Sequence, residues 1–185
     1  MKIEKVNVDD AKELLEIYAP YVKDTAISFE YDIPSLEEFS QRIKSISTRY
    51  PYIKALDDKN KILAYAYAGP FKSRAAYDWA VETTIYVKQG MQKQGIGRKL
   101  YEELERLLKE MGILNMNACI AMPKENDCHL TTGSFNFHKK MGFEIAGTFH
   151  SCGYKFNTWY DMIWMEKMIG PHLQNQGNVS FYDCK

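Results

Sequence analysis

The stretch Gln92-Lys93-Gln94-Gly95-Ile96-Gly97-Arg98 has the residue types and spacing to bind an anion. It follows a β-branched and aromatic run, Val81–Val87, and precedes an amphipathic run that starts at about Gly97. A helix beginning there leaves its first backbone N–H groups without intrahelical acceptors and adds the positive end of its dipole. Glycine lets a phosphate come close to that backbone, and Lys93 and Arg98 add charge. A P-loop would need G-x-x-x-x-G-K-[ST], and a dinucleotide turn would need a third glycine; here Gly95-Ile96-Gly97 runs into Arg98-Lys99-Leu100. Two readings remain: a pyrophosphate-holding turn, or an ordinary strand-to-helix connection.

A second group precedes the strand. Lys72 and Arg74 can bind a carboxylate, the arginine through two parallel hydrogen bonds, and Tyr77 and Trp79 can wall a pocket beside them. On composition alone the same residues describe a solvated loop with two surface cations. Other chemistries find no support. Cys128-His129 are adjacent, but no second ligand pair follows at metal spacing, so no metal site is expected. The absence of a G-x-S-x-G turn argues against an α/β-hydrolase.

These residues need a scaffold. Asp10 with Glu13 has capping-box spacing, and Ala11, Leu14, Leu15, Tyr18 and Val22 recur at helical intervals. Ser35-Leu36-Glu37-Glu38 caps a second helix with Leu36, Phe39, Ile43 and Ile46 on one face, stopped by Pro51. Strands are predicted over Tyr52 to Leu56 and Ile62 to Ala68, joined by a turn at Asp57–Lys61, with Gly69-Pro70 breaking the second. The strand Val81–Val87 feeds the glycine turn. The helix after it carries Leu100, Leu104, Leu107, Leu108 and Met111 and stops at Gly112. Then come a strand over Asn115 to Met122, a short helix over Ser134 to Met141, and strands over Phe143 to Thr148 and Asp161 to Met168. The order α-α-β-β-β-α-β-α-β-β predicts an α+β or mixed α/β fold with helices packed on a sheet.

The chain has 185 residues, of which 14% are aromatic, and a formal net charge of zero. That suits one domain with a real core, assigned to residues 1–169, and a polar tail over 170–185. Without a basic excess no nucleic-acid partner is expected, and without an apolar run of about 20 residues no membrane span. Met1-Lys2-Ile3-Glu4-Lys5 holds no apolar core of a secretory signal. Scattered Cys119, Cys128, Cys152 and Cys184 read as reduced thiols in a cytoplasmic protein.

The pattern Q-x-x-G-x-G at a strand–helix junction resembles the acetyl-CoA turn of the GCN5-related N-acetyltransferase (GNAT) family. Ala66 to Glu82, Phe137 to Phe143 and Gly153 to Asp161 resemble its phosphinothricin N-acetyltransferase-like subfamily. The resemblance implies the GNAT fold, a mostly antiparallel sheet with a splayed strand pair. It implies acetyl transfer from acetyl-CoA to the amine of a small amino-acid-like acceptor such as phosphinothricin, methionine sulfone or methionine sulfoximine. Gln92, Lys93, Gln94, Gly95, Ile96, Gly97 and Arg98 would hold the pyrophosphate. Ile85, Tyr86 and Val87 would pair with the pantetheine arm, and the Val87 N–H would polarise the thioester carbonyl. Lys72, Arg74 and Tyr77 would bind the acceptor, and Glu82 would take its proton. His138 would serve as auxiliary base or as proton donor to the leaving thiolate, with Ser134 near the cofactor. A homodimer is expected, fed by the aromatic segment Tyr154 to Trp164. Two departures stand out. The loop from Pro123 to Ser134 is longer by about seven residues than the short Pro-Asn-x-x-Ser passage of the subfamily, leaving its cofactor-contacting Asn to Asn126 or Thr131. Ser28 replaces an Asn that faces the acceptor before Phe29. Another amine (a polyamine, an antibiotic, a protein N-terminus) and a non-catalytic acetyl-CoA sensor are the alternatives.

Overall fold

The computed structural model describes residues 1–125 and 127–181. Asn126 and Cys184 lie outside the described residues, as does the end of the 170–185 tail. The chain divides into two units.

The first unit comprises Met1–Tyr18, Pro34–Met116 and the chain from Met168. It holds four antiparallel strands in the order β1 (Lys2–Lys5), β2 (Tyr52–Leu56), β3 (Ile62–Pro70) and β4 (Ala80–Val87). β1 is an element the sequence reading lacks; its four residues are too few to show alternation. The β2–β3 turn is closed by the Asp57 carboxylate, which accepts the N–H groups of Lys59 and Lys61 at 2.8 and 2.9 Å. β3 does not break at Gly69-Pro70: Gly69 pairs with Glu82 and Pro70 with Val81. A proline is tolerated there because it ends the ladder.

The two faces of β3 and β4 carry different residues. Ala64, Ala66 and Ala68 lie opposite Val87, Ile85 and Thr83. These small side chains make room for α3 (Ile96–Met111), whose Leu100, Tyr101, Leu104 and Leu108 are buried. Tyr101 donates to the Thr83 hydroxyl at 3.1 Å from that side. On the other face Tyr65 opposes Tyr86, Tyr67 opposes Thr84, and Gly69 opposes Glu82. Tyr52 stacks there on Tyr67 with ring centroids 4.6 Å apart, and Tyr18 of α1 (Ala11–Asp24) meets Tyr86 edge-on at 4.9 Å. Phe39 of α2 (Leu36–Ser47) stacks on Tyr18.

Helix ends differ from expectation in instructive ways. Asn7, not Asp10, is the cap. Its side chain accepts the Asp9 N–H, Asp10 returns the favour to the Asn7 N–H, and a short 3-10 turn over Val8–Asp10 precedes α1. Ser35 does cap α2, taking the Glu38 N–H at 3.1 Å, while the Glu38 carboxylate pairs with Arg42. α2 ends at Ser47, ahead of Pro51. α3 ends, as expected, at a left-handed Gly112 with φ of 86°.

The second unit comprises Ala19–Ile33 and Asn117–Lys167. It contains α4 (Gly133–Lys140) and the strand order β5 (Asn115–Met122), β7 (Thr158–Met168), β6 (Glu144–Lys155). β6 and β7 form a hairpin whose two-residue loop, Phe156-Asn157, has both φ angles positive, the type I′ geometry that matches strand twist. Both strands are longer than the sequence predicts. β6 bulges between Phe149 and Gly153, and the Asp161 carboxylate closes the bulge on the Ser151 N–H at 2.7 Å. The core below it is Ala26, Ala121, Leu130 and Tyr160. Among the described residues, seven strands and four α-helices thus make a mixed α/β fold.

Candidate active site

β4 delivers the chain into a tight turn. The Met91 N–H reaches the Lys88 carbonyl at 3.0 Å, and Gly90 takes φ of 82°. Gln92 braces this turn from both ends, accepting the Gly90 N–H at 2.9 Å and donating to Gln89 at 2.8 Å. Lys93 and Gly95 then adopt left-handed conformations with φ of 64° and 79°. Gly95 is the N-cap of α3 and, lacking a side chain, gives no capping hydrogen bond. The N–H groups of the first α3 turn therefore meet no capping oxygen and stand at the positive end of a 16-residue helix. A Cβ at Gly95 would meet nothing within 4 Å, so the backbone angle, not crowding, selects glycine. Ile96 is buried and pins the turn, whereas Gln92, Lys93, Gln94, Gly95 and Arg98 are exposed. This donor set fits a pyrophosphate. The Arg98 guanidinium is turned along the helix to Glu102 at 2.8 Å, so the expected charge at the mouth of the turn comes from Lys93.

Ile85, Tyr86 and Val87 lie half-buried at the end of β4, in register with Ala66, Tyr65 and Ala64. Glu82 stands on the same face as Thr84 and Tyr86. Its cross-strand neighbour Gly69 has no side chain, and a Cβ there would meet nothing within 4 Å, so space is open beside the carboxylate. Burial pushes the Glu82 carboxyl above its ordinary value, and the nearby Lys72 ammonium pulls it partly back.

The loop before β4 carries Lys72, Arg74 and Tyr77, all exposed, around a 3-10 turn at Ala75–Tyr77. Phe71 organises it: the Tyr77 ring packs edge-on against Phe71, and the Lys72 ammonium sits 4.8 Å from its centroid. Trp79 has a further part: its indole N–H donates to the Gly177 carbonyl at 2.8 Å, tying this loop to the C-terminal segment. The sequence reading also missed the phenols of Tyr18, Tyr52, Tyr65 and Tyr67 on the face that carries Glu82. The alternation Tyr65-Ala66-Tyr67 was the available signal.

In the second unit, α4 carries Ser134 and His138. The His138 Nδ1 lies 2.8 Å from the Ser134 carbonyl, an acceptor, so Nδ1 carries the proton. Phe137 and Phe143 meet the imidazole edge-on at 5.2 Å each. Burial lowers its pKa from 6.5 to about 4, against the opposing pull of the Ser134 carbonyl. The ring is neutral at pH 7. Thr131 is occupied within its loop, its hydroxyl accepting the Gly133 N–H at 3.3 Å. Asp127 in the same long loop accepts the Tyr160 hydroxyl and the His129 N–H. Ser28 is buried, with its hydroxyl accepting the Glu30 N–H.

Among the described residues, no group of three His, Cys, Asp or Glu is placed to hold a metal ion, and no helix is long and apolar enough to cross a membrane.

Known proteins resemble this chain over most of its length. The chain is 32% identical over 164 residues to a phosphinothricin N-acetyltransferase of Streptomyces coelicolor, covering 87% of this chain and 92% of that protein. It is 28% identical over 174 residues to an L-methionine sulfoximine/L-methionine sulfone acetyltransferase of Pseudomonas aeruginosa, covering 91% and 95%. A phosphinothricin acetyltransferase from Sinorhizobium meliloti, solved in complex with AcCoA, superposes with a TM-score of 0.85 at 28% identity, covering 98% of this chain and 97% of that one. The sequence pattern of the acetyltransferase (GNAT) domain matches residues 3–164. A glycine-capped helix after a strand that carries a half-buried carboxylate has thus become more than a local likeness: the chain belongs to the GNAT family and is an acetyl-CoA-dependent N-acetyltransferase.

Proposed function

We propose that this enzyme acetylates the primary amine of a small amino-acid-like acceptor of the phosphinothricin, methionine sulfone and methionine sulfoximine type. The carrying observation is Glu82, a half-buried carboxylate whose proton affinity is raised, with open space at Gly69 and Lys72 within electrostatic reach. An ammonium must lose a proton before its nitrogen can attack, and a carboxylate with raised pKa takes it more readily. Lys72 and Arg74 hold the acceptor carboxylate, and Tyr77 covers it. Bound acetyl-CoA supplies an acetyl thioester open to attack by a neutral amine. The uncapped N–H groups of α3, with Gln92 to Gly97, hold the pyrophosphate, and β4 splays at Ile85-Tyr86-Val87 to pair with the pantetheine arm. The Val87 N–H donates to the oxygen on which negative charge develops. His138 is neutral at pH 7 and acts as an auxiliary proton acceptor rather than a standing acid.

The working form in this reading is a cytoplasmic homodimer. Exposed Ile145, Phe149, Tyr154 and Trp159 on the β6–β7 hairpin support it, since monomers seldom leave such a group in water. Residues 1–169 form the catalytic domain, with 170–185 an appendage to it.

The test is CoA release from acetyl-CoA across phosphinothricin, methionine sulfone, methionine sulfoximine, the common amino acids, polyamines and an aminoglycoside. Turnover confined to amino-acid-like amines is expected. Turnover on the other amines alone would remove the roles given to Lys72 and Arg74. Cofactor binding without any turnover would favour a sensor.

A further inference from the structure

β3 has a gap in its own pattern. On the face it shares with Glu82 the strand presents Tyr65, then Tyr67, then Gly69, each two residues on. Where a third side chain would stand there is bare backbone. A glycine inside a strand weakens it, because it frees the unfolded chain and gives nothing to pack. The fold supplies no reason for this one. Its φ lies outside the left-handed region, so the backbone does not require it. A Cβ built there meets no atom within 4 Å, so crowding does not require it. The ladder runs in register through Ala68–Thr83, Gly69–Glu82 and Pro70–Val81, so no bulge requires it. What remains is the close approach of a ligand, and Gly69 is partly exposed.

The surroundings say what approaches. Glu82 stands directly across the ladder from Gly69, and paired residues hold their Cβ positions about 5 Å apart. Lys72 follows Gly69 by three residues, near enough for its charge to act on the Glu82 carboxyl. Tyr67, the last side chain before the gap, stacks on Tyr52 of β2. All of these groups belong to the first unit. In the functional reading above, on which this inference rests, the amine gives its proton to Glu82 and the carboxylate meets Lys72. An α-amino acid carries both groups on one carbon, and its nitrogen must come within about 3 Å of the base. That carbon therefore passes over the bare backbone beside Glu82.

We propose that Gly69 is a specificity-determining residue: its missing side chain leaves the slot in which the amine-bearing carbon of the acceptor sits next to Glu82. A methyl group at this position fills the slot and leaves the base, the cations and the cofactor turn in place.

Two variants test this, Gly69→Ala and Gly69→Val. The backbone strains neither, and valine suits a strand, so both are expected to keep or raise the melting temperature. Steady-state kinetics separate KM for the acceptor from KM for acetyl-CoA. Acceptor KM is expected to rise about tenfold in Gly69→Ala and about a hundredfold or more in Gly69→Val, with acetyl-CoA KM within about twofold. Should the valine variant fold poorly, Gly69→Ala decides alone. Unchanged acceptor KM, or a parallel rise in both KM values, would overturn the proposal. So would a lowered melting temperature in Gly69→Ala, which would give the glycine a part in the fold. If only an amine without a carboxylate is turned over, the functional reading fails at Lys72. The KM split on that amine still decides Gly69, because its nitrogen must still reach Glu82. If acetyl-CoA binds and no amine is turned over, the functional reading and the slot fall together.

Discussion

Glu82 and Lys72 act on each other, and the sign of that coupling can be read from a pH profile. Burial raises the Glu82 carboxyl and Lys72 lowers it. As a base Glu82 works only when ionised, so kcat/KM should fall as pH drops through a pKa above the ordinary carboxylate range. Removing the lowering charge with Lys72→Met moves that acid limb to higher pH. Glu82→Gln abolishes the limb and costs about a hundredfold or more in kcat/KM. A limb that stays in place in both variants would remove Glu82 from the chemistry. His138 makes a different prediction, on stability. Its folded pKa, about 4, lies below the ordinary 6.5. Below pH 6.5 the unfolded chain takes up a proton that the folded chain refuses, so its stabilising contribution is complete above 6.5 and is lost as pH falls toward 4. At about 1.4 kcal/mol per pH unit the loss approaches about 3 kcal/mol. Urea midpoints across that range should fall less steeply for His138→Gln than for the wild type. Such burial was invisible in the sequence: His138 stood out by resemblance, and nothing in Phe137-His138-Lys139 announces that the ring is enclosed.

At the scale of elements, the turn from β4 into α3 was the most legible part of the chain, because its requirements are local. A left-handed cap, a dipole and a leucine face each leave a residue-level mark, at Gly95, Gly97 and Leu100 to Met111. Gly95→Ala tests it directly. With open space around the new methyl, only the backbone strain of a left-handed alanine remains, about 1–2 kcal/mol. Thermal unfolding should show that loss, and KM for acetyl-CoA should rise while acceptor KM holds. An unchanged cofactor KM would detach this turn from the pyrophosphate. β6 was less legible. Its bulge depends on Asp161, a residue of the partner strand, reaching the Ser151 N–H, and a tertiary contact of that kind has no period. The helix start was misread for a related reason. Asn7 and Asp10 both offer capping oxygens, and Asp10, with its carboxylate also bound to Lys54 at 2.6 Å, serves as the reciprocal partner rather than the cap.

At the scale of the molecule, the described part of the expected polar tail, residues 170–181, is folded onto the first unit. The Ser180 N–H donates to the Met111 carbonyl at 2.8 Å, and the Phe181 ring lies 3.7 Å under the Arg49 guanidinium and edge-on to Tyr50. Together with the Trp79–Gly177 bond these contacts close over the C-terminal end of α3. Deleting the chain from Gly170 should therefore lower the melting temperature by several degrees and raise acceptor KM through the freed Trp79 loop. A truncation that leaves both unchanged would make the tail an ornament. No compositional signal marked this docking, since Gly170 to Phe181 shows neither period nor apolar run. The buried tyrosines of the first unit have a consequence of another kind. Tyr52, Tyr65 and Tyr101 are buried, and burial drives each phenol above its ordinary pKa. An alkaline titration followed by ultraviolet absorbance reads their ionisation directly. These three will stay dark until the first unit opens, so the late absorbance step will time its collapse without any added dye.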